Sequence, residues 1–132
     1  MNIKDFTGVR ILVAEDEEIN FLYFKEILTR ANVTIYHALN GVEAIDLFHK
    51  HQDIDLILMD IKMPIMDGLE AAQIIKEEKN STSIIALTAY ALEGDREKFL
   101  KAGFDDYLSK PVTVKALMDK IELFVSNKSD RS

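Results

Sequence analysis

Short apolar runs alternate with longer stretches in which apolar positions recur every three or four residues. The runs are Arg10 to Ala14, Val33 to His37, Ile54 to Met59, Ser83 to Leu87 and Asp105 to Leu108. Val13, Val33, Ile35, Ile57, Ile84 and Ile85 give them the β-branched character of strands, and the third run reads as buried on both faces. The intervening stretches predict helices. Phe21, Phe24, Ile27, Leu28 and Ala31 fall on one stripe of the first. The second carries Val42, Ile45 and Phe48 behind a plausible cap, Asn40. A third begins near Asp67 and bears Leu69, Ala72 and Ile75. Leu92, Arg96, Phe99 and Leu100 mark a fourth, closed by Gly103. Val114, Leu117, Met118, Ile121 and Val125 mark the fifth.

Five strands alternating with five helices predict an α/β fold, a doubly wound parallel sheet covered on both faces with right-handed crossovers. One domain is expected over residues 1–126, followed by a frayed polar tail at 127–132. Nothing after the fifth helix is long enough for a further domain, so a small stand-alone protein and a piece of a longer one are both open.

Composition narrows the partners. A net charge of -7 argues against direct nucleic-acid binding, which relies on a positive surface. No apolar run approaches the roughly 20 residues that span a bilayer, so membrane contact by this chain is not expected. The amino terminus lacks a signal-peptide pattern. Cysteine is absent, which excludes disulfides and thiolate zinc sites and fits a cytoplasmic protein. His37, His49 and His51 show no metal-ligand spacing and read as surface or strand-end residues.

The chemistry sits at the strand ends. The first run leads into Glu15-Asp16, the third ends on Asp60, the fourth on Thr88, and Lys110 follows the fifth just before Pro111. A parallel sheet brings these tips to one edge, where open α/β sheets place their ligand sites. Two carboxylates about 5 Å apart repel by roughly 3 kcal/mol at an effective dielectric of about 20. Three together would bind a proton or recruit a cation. With only oxygen donors at these tips a hard divalent ion is favoured, and Mg²⁺ suits carboxylates, waters and a phosphate. With its acid neighbours screened, Asp60 would attack a phosphoryl group and hold it as an acyl phosphate. Lys110 and the ion would neutralise the transferring oxygens, and the Thr88 hydroxyl would donate to one of them.

Taken together, Leu12-Val13-Ala14-Glu15-Asp16, Met59-Asp60-Ile61-Lys62-Met63-Pro64, Asp67-Gly68, Ala86-Leu87-Thr88-Ala89 and Asp106-Tyr107-Leu108-Ser109-Lys110-Pro111 resemble the receiver domains of two-component signalling over nearly the whole chain. The resemblance implies the flavodoxin-like form of the fold, strand order 2-1-3-4-5. It implies Asp60 as phosphoacceptor, with Thr88 and Lys110 assisting. Metal ligands would be Glu15 (directly or through water), Asp16, Asp60 and the Lys62 carbonyl, with Mn²⁺ an acceptable substitute for Mg²⁺. Thr88 and Tyr107 match the family's switch pair, and Lys110-Pro111 a bond that is usually cis. Glu15 departs mildly, since Asp is also common there.

The implied donor is a histidine kinase or histidine phosphotransfer domain, and the implied state a monomer or weak dimer. Ile19, Leu22 and Tyr23 point off the core stripe of the first helix and are expected to pack against the donor's helix. The Met59 to Gly68 and Thr88 to Leu92 segments look most like receivers of hybrid sensor kinases, and Tyr90 is expected to influence phosphoryl lifetime. Two other classes compete. A haloacid-dehalogenase-like phosphatase would place an acid where Lys62 stands. A flavodoxin-like cofactor binder would need a phosphate loop where Glu15-Asp16-Glu17-Glu18 stands.

Overall fold

Alternation along the strands divides the apolar side chains between two layers. The computed structural model describes residues 3–89 and 93–129. In chain order the elements are β1 (Arg10–Ala14), α1 (Glu18–Arg30), β2 (Thr34–Ala38), α2 (Gly41–Lys50), β3 (Leu56–Asp60), α3 (Gly68–Glu78), β4 (Ile84–Thr88), α4 (Glu93–Ala102), β5 (Asp106–Ser109) and α5 (Val114–Ser129). All strand pairs are parallel, in the order β2-β1-β3-β4-β5. This is the flavodoxin-like doubly wound arrangement that the sequence predicts.

Ile11, Val13, Leu56, Leu58, Ile85 and Leu87 point to one face and pack with Phe24, Ile27 and Leu28 of α1 and Leu117, Met118 and Ile121 of α5. Their strand neighbours Leu12, Ala14, Ile57, Met59, Ile84 and Ala86 point the other way, onto Ala44 and Phe48 of α2, Ala71, Ala72 and Ile75 of α3, and Phe99 of α4. Period-two alternation thus fills both layers from one set of strands. The central strands β3 and β4 are buried throughout, as covered parallel strands must be.

Helix starts follow local chemistry. Asn40 accepts from the Glu43 N–H at 2.9 Å, and Asp67 accepts likewise from Glu70. Gly103 closes α4 at φ +100, a left-handed conformation that favours glycine.

Strand β3 ends on Asp60 and β4 on Thr88, as the sequence predicts, while β2 and β5 run one residue past their apolar runs, to Ala38 and Ser109. Three expectations need correction. Val42 is exposed, and Gly41 and Ala44 take the inward positions of α2. A Cβ on Gly41 would meet the Met66 carbonyl at 2.7 Å, so α2 approaches its neighbour too closely for a large side chain. Leu100 is also exposed, because Phe99 and Phe104 occupy the space under α4 with rings 6.1 Å apart. Finally, α5 continues through Ser129, so 127–129 are helical rather than part of a tail; neither Gly nor Pro interrupts the backbone ladder there. Tyr90, Leu92 and the Arg96 side chain lie outside the described residues. Among the described residues no helix is long and apolar enough to cross a membrane.

The loop after β3 has opposite needs at two positions. A Cβ on Gly68 would lie 2.1 Å from the Asp60 carbonyl oxygen, so Gly68→Ala must push α3 away from the strand end. Ile65 sits at φ +69 with its side chain 84% exposed, a strained backbone with little packing in return. Urea unfolding is expected to show Gly68→Ala destabilising by about 2–3 kcal/mol. The same measurement on Ile65→Gly should show a gain of roughly 0.5–1 kcal/mol.

Candidate functional site

The backbone ladder runs one residue past the strands and delivers chemistry to their shared edge. Glu15 N–H donates to the Ala38 carbonyl at 3.0 Å, and Lys110 N–H to the Thr88 carbonyl at 2.8 Å. Asp60 is paired opposite Leu87, one residue below Thr88. Glu15, Asp60 and Lys110 therefore meet, although they are far apart in the chain.

Lys110 Nζ lies 2.6 Å from Asp60 Oδ2 and 3.2 Å from Glu15 Oε1. One ammonium thus spans two buried acids. The other Asp60 oxygen, Oδ1, accepts from the Lys62 N–H at 3.1 Å. Single oxygens of Glu15, Asp16 and Asp60 lie within 4.8 Å of one another. Asp16 is exposed, which leaves the group open to water on one side. Thr88 is buried and lines the same cleft, about 370 Å³, with Asp60, Lys62 and Lys110. All the residues expected at the reacting centre are therefore brought together. Tyr107 is not among them; it packs beside Phe99, rings 6.3 Å apart, and Phe99 lines the cleft. The Lys110-Pro111 bond is cis, as the resemblance implies.

The electrostatics follow from burial. Desolvation first, then the hydrogen bond and repulsion from Asp60, push the Glu15 carboxyl up to about 8, against the pull of Lys110 and Asn20. Burial alone would lower the Lys110 pKa, but hydrogen bonding and charge from Asp60, backed by Glu15, outweigh it, and the net direction is upward. The site without a cation therefore keeps a proton on Glu15 at neutral pH and a charged Lys110.

These residues fit a divalent ion. Glu15 Oε2 is buried without a hydrogen-bond partner, an expensive state for a carboxylate oxygen. Two neighbouring carboxylates lie close to it, and every donor is oxygen. A hard cation at this point would satisfy the orphaned oxygen and release the proton.

Several contributors carry no signal in the sequence pattern. His37 Nε2 bonds to the Glu15 carbonyl at 2.8 Å and its ring stacks on Phe21, so this strand-end histidine holds the acidic loop. Glu17, Asn20 and Lys98 line the cleft. Asn20 sits in the first turn of α1 and donates its amide to Glu17 Oε2 at 3.2 Å.

A family model described as the response regulator receiver domain matches residues 11–122. The hybrid signal transduction histidine kinase I of Dictyostelium discoideum is 43% identical over 120 residues, which are 85% of this chain and 7% of that kinase. The polar-differentiation response regulator DivK of Brucella anthropi is 34% identical over 119 residues, 89% of this chain and 96% of that protein. Among solved structures, the receiver domain of Saccharomyces cerevisiae Ssk1, crystallised with the histidine phosphotransfer protein Ypd1, is similar at TM-score 0.85 and 32% identity, covering 92% of this chain and 91% of that one. The receiver domain of the Pseudomonas aeruginosa sensor histidine kinase PA1611, with a magnesium ion in its active-site cleft, matches at TM-score 0.84 and 33% identity, covering 91% and 99%.

The Glu15 shift makes a prediction with a definite sign. The folded chain holds that proton up to about 8, whereas the ordinary value is 4.5. Between these limits the folded state binds the extra proton, so metal-free stability falls as pH rises and levels off above the upper limit. Urea unfolding at about pH 5 and about pH 8 should show a loss of roughly 3 kcal/mol. Glu15→Gln should remove most of that slope, and equal slopes would contradict the assignment.

Proposed function

The chain belongs to the response regulator receiver domain family, and on that footing we propose that it is a phosphoacceptor signalling domain that takes a phosphoryl group from a phosphohistidine onto Asp60 and changes conformation in response. The observation that carries this reading is the bridge from Lys110 Nζ to Asp60 Oδ2 at 2.6 Å, beside a carboxylate oxygen that has no partner. An aspartate so placed is buried, charge-balanced and open to the cleft.

In the proposed transfer an Asp60 oxygen attacks phosphorus, a P–O bond forms and the P–N bond to the donor imidazole breaks. The imidazole leaves with a proton. Lys110 holds its charge against the transferring oxygens, the Lys62 N–H keeps the carboxylate oriented, and the Thr88 hydroxyl donates to a phosphoryl oxygen. Glu15, Asp16, Asp60 and the Lys62 carbonyl would hold Mg²⁺, with Mn²⁺ as substitute. When bound, the ion supplies further neutralisation of phosphoryl charge. Tyr107 would follow Thr88 inward; its contact with Phe99, a wall of the cleft, supports that path. The role is regulatory rather than that of a turnover enzyme, and Lys62 stands where an aspartyl phosphatase would need its second acid.

The donor is a histidine kinase or a histidine phosphotransfer domain. Ile19, Leu22 and Tyr23 are 81%, 49% and 43% exposed and form an apolar face of α1 for it. The Ssk1 receiver with its phosphotransfer partner supports this kind of contact. A cytoplasmic monomer or weak dimer without direct nucleic-acid or membrane contact fits the charge of -7. We favour the receiver of a hybrid histidine kinase, in line with the Dictyostelium relative. The second reading, a stand-alone regulator, is favoured by the near-complete coverage of DivK.

Mass spectrometry after acetyl phosphate plus Mg²⁺ is expected to show one added phosphoryl group, absent from Asp60→Asn. An unmodified parent, or a modified variant, would reject the assignment of Asp60. For the docking face, Leu22→Glu should slow transfer from a phosphohistidine protein about tenfold more than it slows loading by acetyl phosphate. Equal slowing of both reactions would remove α1 from the interface.

A further inference from the structure

Lys110 is held by its backbone as well as by its ammonium. Its N–H donates to the Thr88 carbonyl at 2.8 Å, on the β4 side. The next residue, Pro111, has no N–H to offer. The residue after that, Val112, is buried, and its carbonyl accepts from the Tyr23 hydroxyl at 2.5 Å. The loop bearing the lysine is thus clamped at two points, by the threonine of the site and by a tyrosine of α1 that is 89 residues away in sequence.

Tyr23 is placed to do more than pack. Its ring lies edge-on to Phe24, centroids 5.7 Å apart, which limits where the hydroxyl can go. Its outer side stays 43% exposed and lines a groove of about 510 Å³ with Ile19, Lys110 and Pro111.

We propose that Tyr23 is a positioning residue for phosphoryl transfer: its bond to the Val112 carbonyl fixes the loop from which Lys110 reaches Asp60. The inference rests on Asp60 being the phosphoacceptor and adds a dependence that the site alone does not contain. It also gives α1 a second role. Any partner that displaces Tyr23 changes the freedom of the lysine that neutralises the phosphoryl group. Reactions of this kind are sensitive to small misplacements of a charged group.

Tyr23→Phe removes only the hydroxyl, and its urea midpoint identifies any loss of folding. With acetyl phosphate and Mg²⁺ it is expected to load Asp60 about three- to tenfold more slowly than the parent. In a Lys110→Ala background the same change should leave the remaining rate as it is, because nothing is left to position. An unchanged rate in the parent background overturns the proposal, and so does equal slowing in both backgrounds, which a merely structural role would give. A second readout needs no phosphorylation. In protein labelled with ¹³C at lysine Cε, the Lys110 resonance, assigned through Lys110→Arg, should move in Tyr23→Phe. If the parent fails to load, the phosphoacceptor reading falls, and this signal alone decides whether Tyr23 positions Lys110: a shift supports it and a fixed resonance rejects it.

Discussion

Two acids share a buried edge with one lysine, and this arrangement constrains everything around it. Glu15 and Asp60 are almost without solvent, yet they lie close enough to contest a proton. Leaving the Asp60 charge uncompensated would cost several kcal/mol, so Lys110 stabilises the folded chain. The single ammonium cannot satisfy every oxygen, and Glu15 Oε2 remains without a partner. A fold that tolerates such a deficit holds a site ready for added positive charge.

The sheet makes the deficit possible. Each parallel strand ends at the same edge, and the ladder past the strand ends fixes Glu15 against Ala38 and Lys110 against Thr88 before any side chain is placed. Gly68 then lets α3 begin within van der Waals distance of the Asp60 carbonyl, closing the site from below. His37 steadies the acidic loop from the opposite flank. The placement of the centre therefore draws on backbone packing as well as on the contacts among its own side chains.

Much of this was legible in the residue pattern. Strand-ending acids, a threonine and a lysine at successive apolar runs identify the candidate site, because a parallel sheet must converge them. The core stripes of α1 and α5 also follow directly from periodicity, with Phe24, Ile27, Leu117 and Ile121 all buried. Periodicity misleads where small residues do the packing. Gly41, Ala44 and Ala71 face inward while Val42 and Leu100 face water, since close helix approach rewards small volume over hydrophobicity. Contacts between a side chain and a distant backbone carbonyl are invisible to any pattern. Tyr23 with Val112 and His37 with Glu15 depend on three-dimensional register, and neither leaves a spacing to count.

In the proposed transfer, the sharing of Lys110 bears on how a local charge would spread. A phosphoryl group would add about two negative charges beside an ammonium already divided between two acids. Lys110 would then divide its charge among Glu15, Asp60 and the newcomer, and its backbone is bonded to the carbonyl of Thr88. Reassigning one cation would therefore alter the balance on β4 and on the loop after β5 in the same step. On the proposed function, the free energy for a switch would arise locally, where three claims on a single charge compete, and the population would move to the arrangement that meets them best.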